Sequence, residues 1–194
     1  MIEINSYGIF KDNYATLKRT SRDDGSGEWI YMTESDLQVV NFDKVMAKYS
    51  SHVGISSPWS NDALCINREN GRLTFIEFKN GKIKPYELQQ KIYDSLLVFT
   101  DIIGAGIKFT RKEMDYILVY NEEKNSMEKT KENDGHHIND SESRYAIAKT
   151  LTAKGGEEFI GFGLNKFKGY CFQDVHTYSA EEFEEKFVKL QSVN

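Results

Sequence analysis

Hydrophobic positions along this chain switch repeatedly between two periods. From Thr33 to Tyr49 the apolar residues Leu37, Val40, Val45, Met46 and Tyr49 recur near every 3.6 positions, which predicts a helix. Thr33 is placed to cap it, with Glu34 and Asp36 in its first turn. Asp62 to Asn67 and Arg72 to Lys79 read instead as two strands around Arg68-Glu69-Asn70-Gly71, and Asn-Gly is a strong hairpin signal. Pro85 opens a second helix, carrying Leu88, Ile92, Leu96, Leu97 and Phe99 toward a stop at Gly104. Met114 to Tyr120 is a further strand. Beyond it the pattern predicts a helix from Glu142 to Lys154, a strand from Tyr170 to His176 and a last helix from Ala180 to Leu190, where Ser179 and Glu182 form a capping box. The order α-β-β-α-β-α-β-α predicts an α/β (mixed α+β) fold, a central mixed sheet flanked by helices.

Composition bounds this picture. With 194 residues the chain suits one domain, and 39% hydrophobic with 13% aromatic residues is enough to fold. No apolar run is long enough to span a bilayer and the first residues lack a signal-peptide pattern, so the expectation is a cytoplasmic protein with no membrane partner. Cys65 and Cys171 are too few for a disulfide framework or a thiolate zinc site and read as buried reduced thiols. The net charge of −5 argues against a protein that coats nucleic acid. Its distribution matters more. Asn121 to Ser143 holds seven acidic and three basic side chains, so four of the five net charges fall on one aperiodic polar stretch, read as a mobile insertion at 121–143. The remainder is nearly neutral and can carry a local basic groove from Lys79, Lys82, Lys84 and Lys91 with Lys108, Arg111 and Lys112.

One strand breaks its own pattern. Period two puts Leu73, Phe75, Glu77 and Lys79 on one face and Thr74, Ile76 and Phe78 on the other, so a strand apolar on both faces ends in a carboxylate and an ammonium. Buried charges cost several kcal/mol unless paired, metal-bound or set at a cleft. The hairpin adds a third group. A four-residue loop, Arg68 to Gly71, sets Asp62 opposite Glu77; a tight Asn70-Gly71 turn sets it opposite Lys79. In both registers Asp62 shares the face of Glu77 and Lys79. Two carboxylates about 4 Å apart repel by about 4 kcal/mol at an effective dielectric near 20, and a divalent cation between them reverses the sign. Oxygen ligands without Cys or His favour Mg²⁺ or Mn²⁺ over zinc.

Asp62 within Ser60-Asn61-Asp62 and the run Glu77-Phe78-Lys79 resemble the signature of the restriction-endonuclease-like nuclease superfamily, written PD-(D/E)XK. The proline before the acid is replaced by Asn61, with Pro58 slightly earlier. Gln89 and Tyr93, four apart on one helical face, look like the Gln-x-x-x-Tyr motif of the exonuclease-type branch. The resemblance implies a restriction-endonuclease-like core and a Mg²⁺- or Mn²⁺-dependent nuclease acting on DNA, less often RNA. Asp62, Glu77 and the Phe78 carbonyl would bind the metal, and Lys79 would position the attacking water. Gln89 would contact the water, the metal shell or a phosphate, supported by Tyr93. An acid of the upstream helix often joins, here Glu34, Asp36 or Asp43. The resemblance also implies a role in bacterial defence or mobile elements, and dimers are common among such enzymes.

Other motifs carry less. His136 and His137 with Asp140 sit in the polar stretch and read as loop residues, His52 lies near the expected cleft, and Gly161-Phe162-Gly163 reads as a bend. The competing function class is a nuclease-like fold used as a binding, regulatory or immunity-type module, which the acidic balance and the lack of a sequence-reading motif favour.

Overall fold

A computed structural model describes residues 3–23, 25, 29–67, 69–125 and 158–192. Its centre is a six-stranded mixed sheet in the order β1 (Tyr14–Thr16), β4 (Gln38–Asn41), β5 (Ala63–Ile66), β6 (Leu73–Lys79), β7 (Met114–Tyr120) and β8 (Asp174–Ser179). The first four pair antiparallel, and β6, β7 and β8 run parallel. A two-stranded ribbon, β2 (Arg22–Asp23) with β3 (Ile30–Tyr31), lies beside it. The expected α/β class with a mixed sheet flanked by helices is what forms.

Helices cover both faces. After the short helices α1 (Gly8–Lys11) and α2 (Leu17–Thr20), α3 (Phe42–Val53) and α4 (Pro85–Ile103) pack Val45, Met46, Leu88, Ile92 and Phe99 on one side against Leu64, Phe75 and Tyr116 of the sheet. On the other, the C-terminal helix (Ala180–Phe183, a π-helical turn Glu184–Val188, then Lys189–Ser192) lays Phe183, Phe187 and Val188 against Ile76, Phe78 and Val119. Successive strand residues point to opposite faces, so β6 and β7, covered on both, are buried at nearly every position. No helix among the described residues is long and apolar enough to cross a membrane.

Several expectations are corrected. The helix predicted from Thr33 begins only at Phe42, capped by the Asn41 side chain, which accepts from Lys44 N at 3.0 Å. Residues 38–41 form β4 instead, because Val39 and Val40 are both fully buried on opposite faces between β1 and β5. Thr33 therefore caps nothing. Its hydroxyl donates to Glu184 of the C-terminal helix. The last strand begins at Asp174, not Tyr170, since residues 167–172 close into turns around Gly169 at φ 69°. It ends at Ser179, where the predicted capping box is present with both hydrogen bonds. The short helix α5 (Ile107–Glu113) and the first three strands were not foreseen. The predicted helix from Glu142 lies outside the described residues, as does the polar stretch from residue 126 onward. Its start, residues 121–125, is described and belongs to the body. Asn121 donates to Asn80 at 2.9 Å and the Asn125 amide to the Gly81 carbonyl at 3.1 Å.

Candidate active site

The hairpin register follows from its loop. Asn67 N donates to the Arg72 carbonyl at 2.8 Å, closing a four-residue loop, and Ala63 pairs with Ile76. The same register carried one residue further sets Asp62 opposite Glu77, as the first of the two sequence alternatives requires. Asp62 then folds over the end of β6, where its Oδ2 accepts from Phe78 N at 2.6 Å. Glu77 points to the α4 side and is wholly buried, and Lys79 is the last residue of the strand.

Three acids and two lysines meet here. Lys79 Nζ lies 3.4 Å from Glu77 Oε1. Lys91 of α4 lies 2.7 Å from the same oxygen and 3.7 Å from Asp62 Oδ1. The third acid is Asp43 in the first turn of α3, bonded by the Ser60 hydroxyl. Of the upstream acids considered, Asp43 is the one at the site, while Glu34 is exposed and paired with Lys18 at 2.6 Å and Asp36 is exposed ahead of β4. Glu77 Oε2 is buried with no hydrogen bond among the described residues.

Electrostatics follow from this crowding. Burial, with Glu77 beside it, pushes the Asp62 carboxyl well above its ordinary range. Burial likewise raises Glu77 and Asp43, against the pull of Lys91. Burial alone would lower the Lys91 ammonium, but the charges of Asp62 and Glu77 outweigh it and the net shift is upward. Tyr116 on β7 is fully buried, its hydroxyl has no partner among the described residues, and burial, then Glu77 and Asp62, raise it.

A cavity of about 510 Å³ opens over the cluster. Its walls come from Thr20 to Asp23, from Phe78 to Lys82 and from Lys124, with Asp62 and Lys91 at its floor. Arg22, Lys79, Lys82, Lys91 and Lys124 give it five cationic side chains. Asp23 braces the two walls, accepting from Asn80 Nδ2 and from Gly25 N, each at 2.9 Å.

The predicted site residues thus divide. Asp62, Glu77, Lys79 and the Phe78 main chain converge, whereas Gln89 accepts from Lys166 at 2.7 Å and Tyr93 packs on Phe167 at a centroid distance of 5.4 Å. The face of α4 that meets the sheet carries Leu88, Ile92, Ser95 and Phe99, all buried, and Lys91 shares it at three and four residues from Leu88 and Ser95. Lys91 was foreseen only as a groove cation. Its helical phase with Leu88 and Ser95 was the available signal. The expected basic groove also divides, because α5 precedes β7 and so places Lys108, Arg111 and Lys112 at the end of the sheet opposite Lys79. Lys84 is exposed and paired with Glu87. His52 is exposed at the end of α3 and does not line the cavity. Phe162 and Gly163, at φ 58° and 69°, form the expected bend. His136, His137 and Asp140 lie outside the described residues, and both cysteines are buried.

The donor set fits a hard divalent cation. Among the described residues three carboxylates face two ammonium groups, and one buried carboxylate oxygen lacks a partner. Among the described residues no three Asp, Glu, His or Cys side chains form a ready-made cage. Asp62 and Glu77 would therefore hold Mg²⁺ or Mn²⁺ with main-chain oxygen and water, the usual habit of Mg²⁺. No protein-family model, curated protein or solved structure matches this chain.

Proposed function

We propose that the protein is a Mg²⁺- or Mn²⁺-dependent nuclease with a restriction-endonuclease-like core, hydrolysing phosphodiester bonds in DNA and less readily in RNA. The observation that carries this reading is the convergence of Asp62, buried Glu77 and Lys79 beside a cavity lined by cations, which Asp62 and Lys79 border. When bound, the metal supplies Lewis-acid stabilisation of the charge that develops on the phosphoryl oxygens. Asp62 and Glu77 provide the charge that retains it. Lys79, at the mouth of the site beside Glu77, orients the attacking water and adds positive charge near the reacting phosphorus. Arg22, Lys82 and Lys124 hold the flanking phosphates. A cavity of this size suits one flexible strand at a time, which supports a single-stranded, short or frayed substrate.

Incubation of the purified protein with single- and double-stranded DNA and RNA, in Mg²⁺, Mn²⁺ or EDTA, tests this. Cleavage is expected with either metal and none in EDTA. Glu77→Gln and Lys79→Ala should each lose about 10²-fold or more, while Gln89→Ala, paired away from the site, keeps wild-type activity. Activity in EDTA, or unchanged activity in both site variants, overturns the mechanism.

A second reading draws on the Lys91–Glu77 ion pair, which neutralises the buried acid without metal. In that reading the fold is a non-catalytic binding or regulatory module for another protein. It predicts no cleavage of any of the four substrates under any metal condition.

A further inference from the structure

Lys91 is not needed for the chemistry just described, yet it is the cation closest to both acids. Its Nζ is 2.7 Å from Glu77 Oε1 and 3.7 Å from Asp62 Oδ1, nearer to Glu77 than Lys79 at 3.4 Å. It arrives from α4, on a different element, and its side chain is only 19% exposed. An ammonium this close occupies the lone pair that Glu77 Oε1 would lend to a metal. Any divalent ion drawn to the same two carboxylates meets a positive charge a few ångströms away, at a depth where solvent and salt screen poorly. Lysine also has a flexible stem that can carry its charge elsewhere. The place available is the cavity that Lys91 itself lines with Lys79, Lys82 and Lys124.

We propose that Lys91 is an internal counter-cation that competes with divalent metal for Asp62 and Glu77, and that a phosphodiester entering the cavity draws Lys91 off them. Metal and substrate then load together. The inference rests on the nuclease reading and adds to it a reason for cleavage to be tied to substrate arrival. Because binding linkage is reciprocal, a phosphodiester must strengthen metal binding by the same factor by which metal strengthens phosphodiester binding. Lys91 acts here through the acids as a positioning residue.

Calorimetric titration of the full chain with Mn²⁺ alone tests the competition without reference to cleavage. Lys91→Met, which keeps the stem and removes the charge, should bind Mn²⁺ about tenfold or more tightly than wild type, and Lys91→Arg should bind as wild type does. In excess dimethyl phosphate, the smallest convenient phosphodiester, wild-type affinity for Mn²⁺ should rise about tenfold and that of Lys91→Met should stay fixed. If Lys91→Met fails to fold by circular dichroism, the dimethyl phosphate comparison on the wild type decides alone. Equal Mn²⁺ affinity in wild type and folded Lys91→Met, or no effect of dimethyl phosphate on the wild type, overturns the inference and leaves the nuclease reading standing. Absence of Mn²⁺ binding in both proteins, together with no cleavage, overturns both.

Discussion

Glu77 has no solvent exposure and one of its two carboxylate oxygens is unpaired among the described residues, an arrangement that costs folding energy. Asp62 adds a second acid to the same small volume, and burial beside Glu77 raises its carboxyl well above the ordinary range. Such strain is common where function outranks stability. Asp62→Asn should therefore stabilise the metal-free protein while abolishing cleavage. The amide oxygen can still accept from Phe78 N, and the two lysines then face one less acid. A gain of about 1 kcal/mol corresponds to roughly 2–4 °C in melting temperature for a chain of this size. A melting temperature unchanged or lowered at pH 7, measured by calorimetry in EDTA, contradicts this account. The sequence pattern brings Asp62, Glu77 and Lys79 to one place because period-two alternation and hairpin pairing are local rules. Gln89 and Tyr93 lie apart from them, since a four-residue spacing says which residues share a helix face and not which face meets the sheet.

Strand β6 joins two roles, its first four residues, Leu73 to Ile76, reaching both layers of the core and its last three, Glu77 to Lys79, carrying the charged site. The element that completes the site is the ribbon β2–β3, which comes from the N-terminal region. Asp23 ties this ribbon to the end of β6 through Asn80, and Asn80 in turn is held by Asn121 after β7. The backbone amide of Gly25 and then the Asn80 side chain hold the Asp23 carboxyl below its ordinary value of 3.8. A depressed folded-state pKa gives stability that is present above the unfolded value and lost as pH falls through the folded one. Asp23→Asn should therefore lower the melting temperature at pH 7, with the gap from wild type narrowing as pH drops below about 3.8. A gap that is constant across that range would show that the bond contributes nothing through its charge. None of this network was foreseen, because residues 121–125 read as the start of a polar insertion.

For the whole molecule, charge separation matters more than net charge. The chain carries −5, yet the cavity gathers five cationic side chains around the acids. On the proposed nuclease reading, the overall balance disfavours nonspecific coating of a duplex, while the cavity would offer a short strand a locally basic path. Lys82→Ala with Lys124→Ala should weaken binding of a short single-stranded oligonucleotide in EDTA. Each removed phosphate contact lowers the log–log salt slope by about 0.7 for a single strand, so the double variant should lose about 1.4 from the slope. Fluorescence anisotropy across a salt series reads this directly, and an unchanged slope would remove the cavity from the substrate path.

The amino-acid order alone was enough for the hairpin, the two central strands β6 and β7, the helix from Pro85, the Ser179 capping box and the placing of three charged groups on one face. All of these follow from interactions within a few residues or across one tight loop. Tertiary structure decided the rest. Val39 and Val40 become strand because both faces of the sheet bury them, overriding a helical period. Asp43 joins the site in place of Glu34 and Asp36 because α3 starts eight residues later than its pattern suggested. Lys91 reaches the acids because α4 docks with that edge toward β6. Each depends on burial against elements distant in the chain, a quantity that no local spacing encodes.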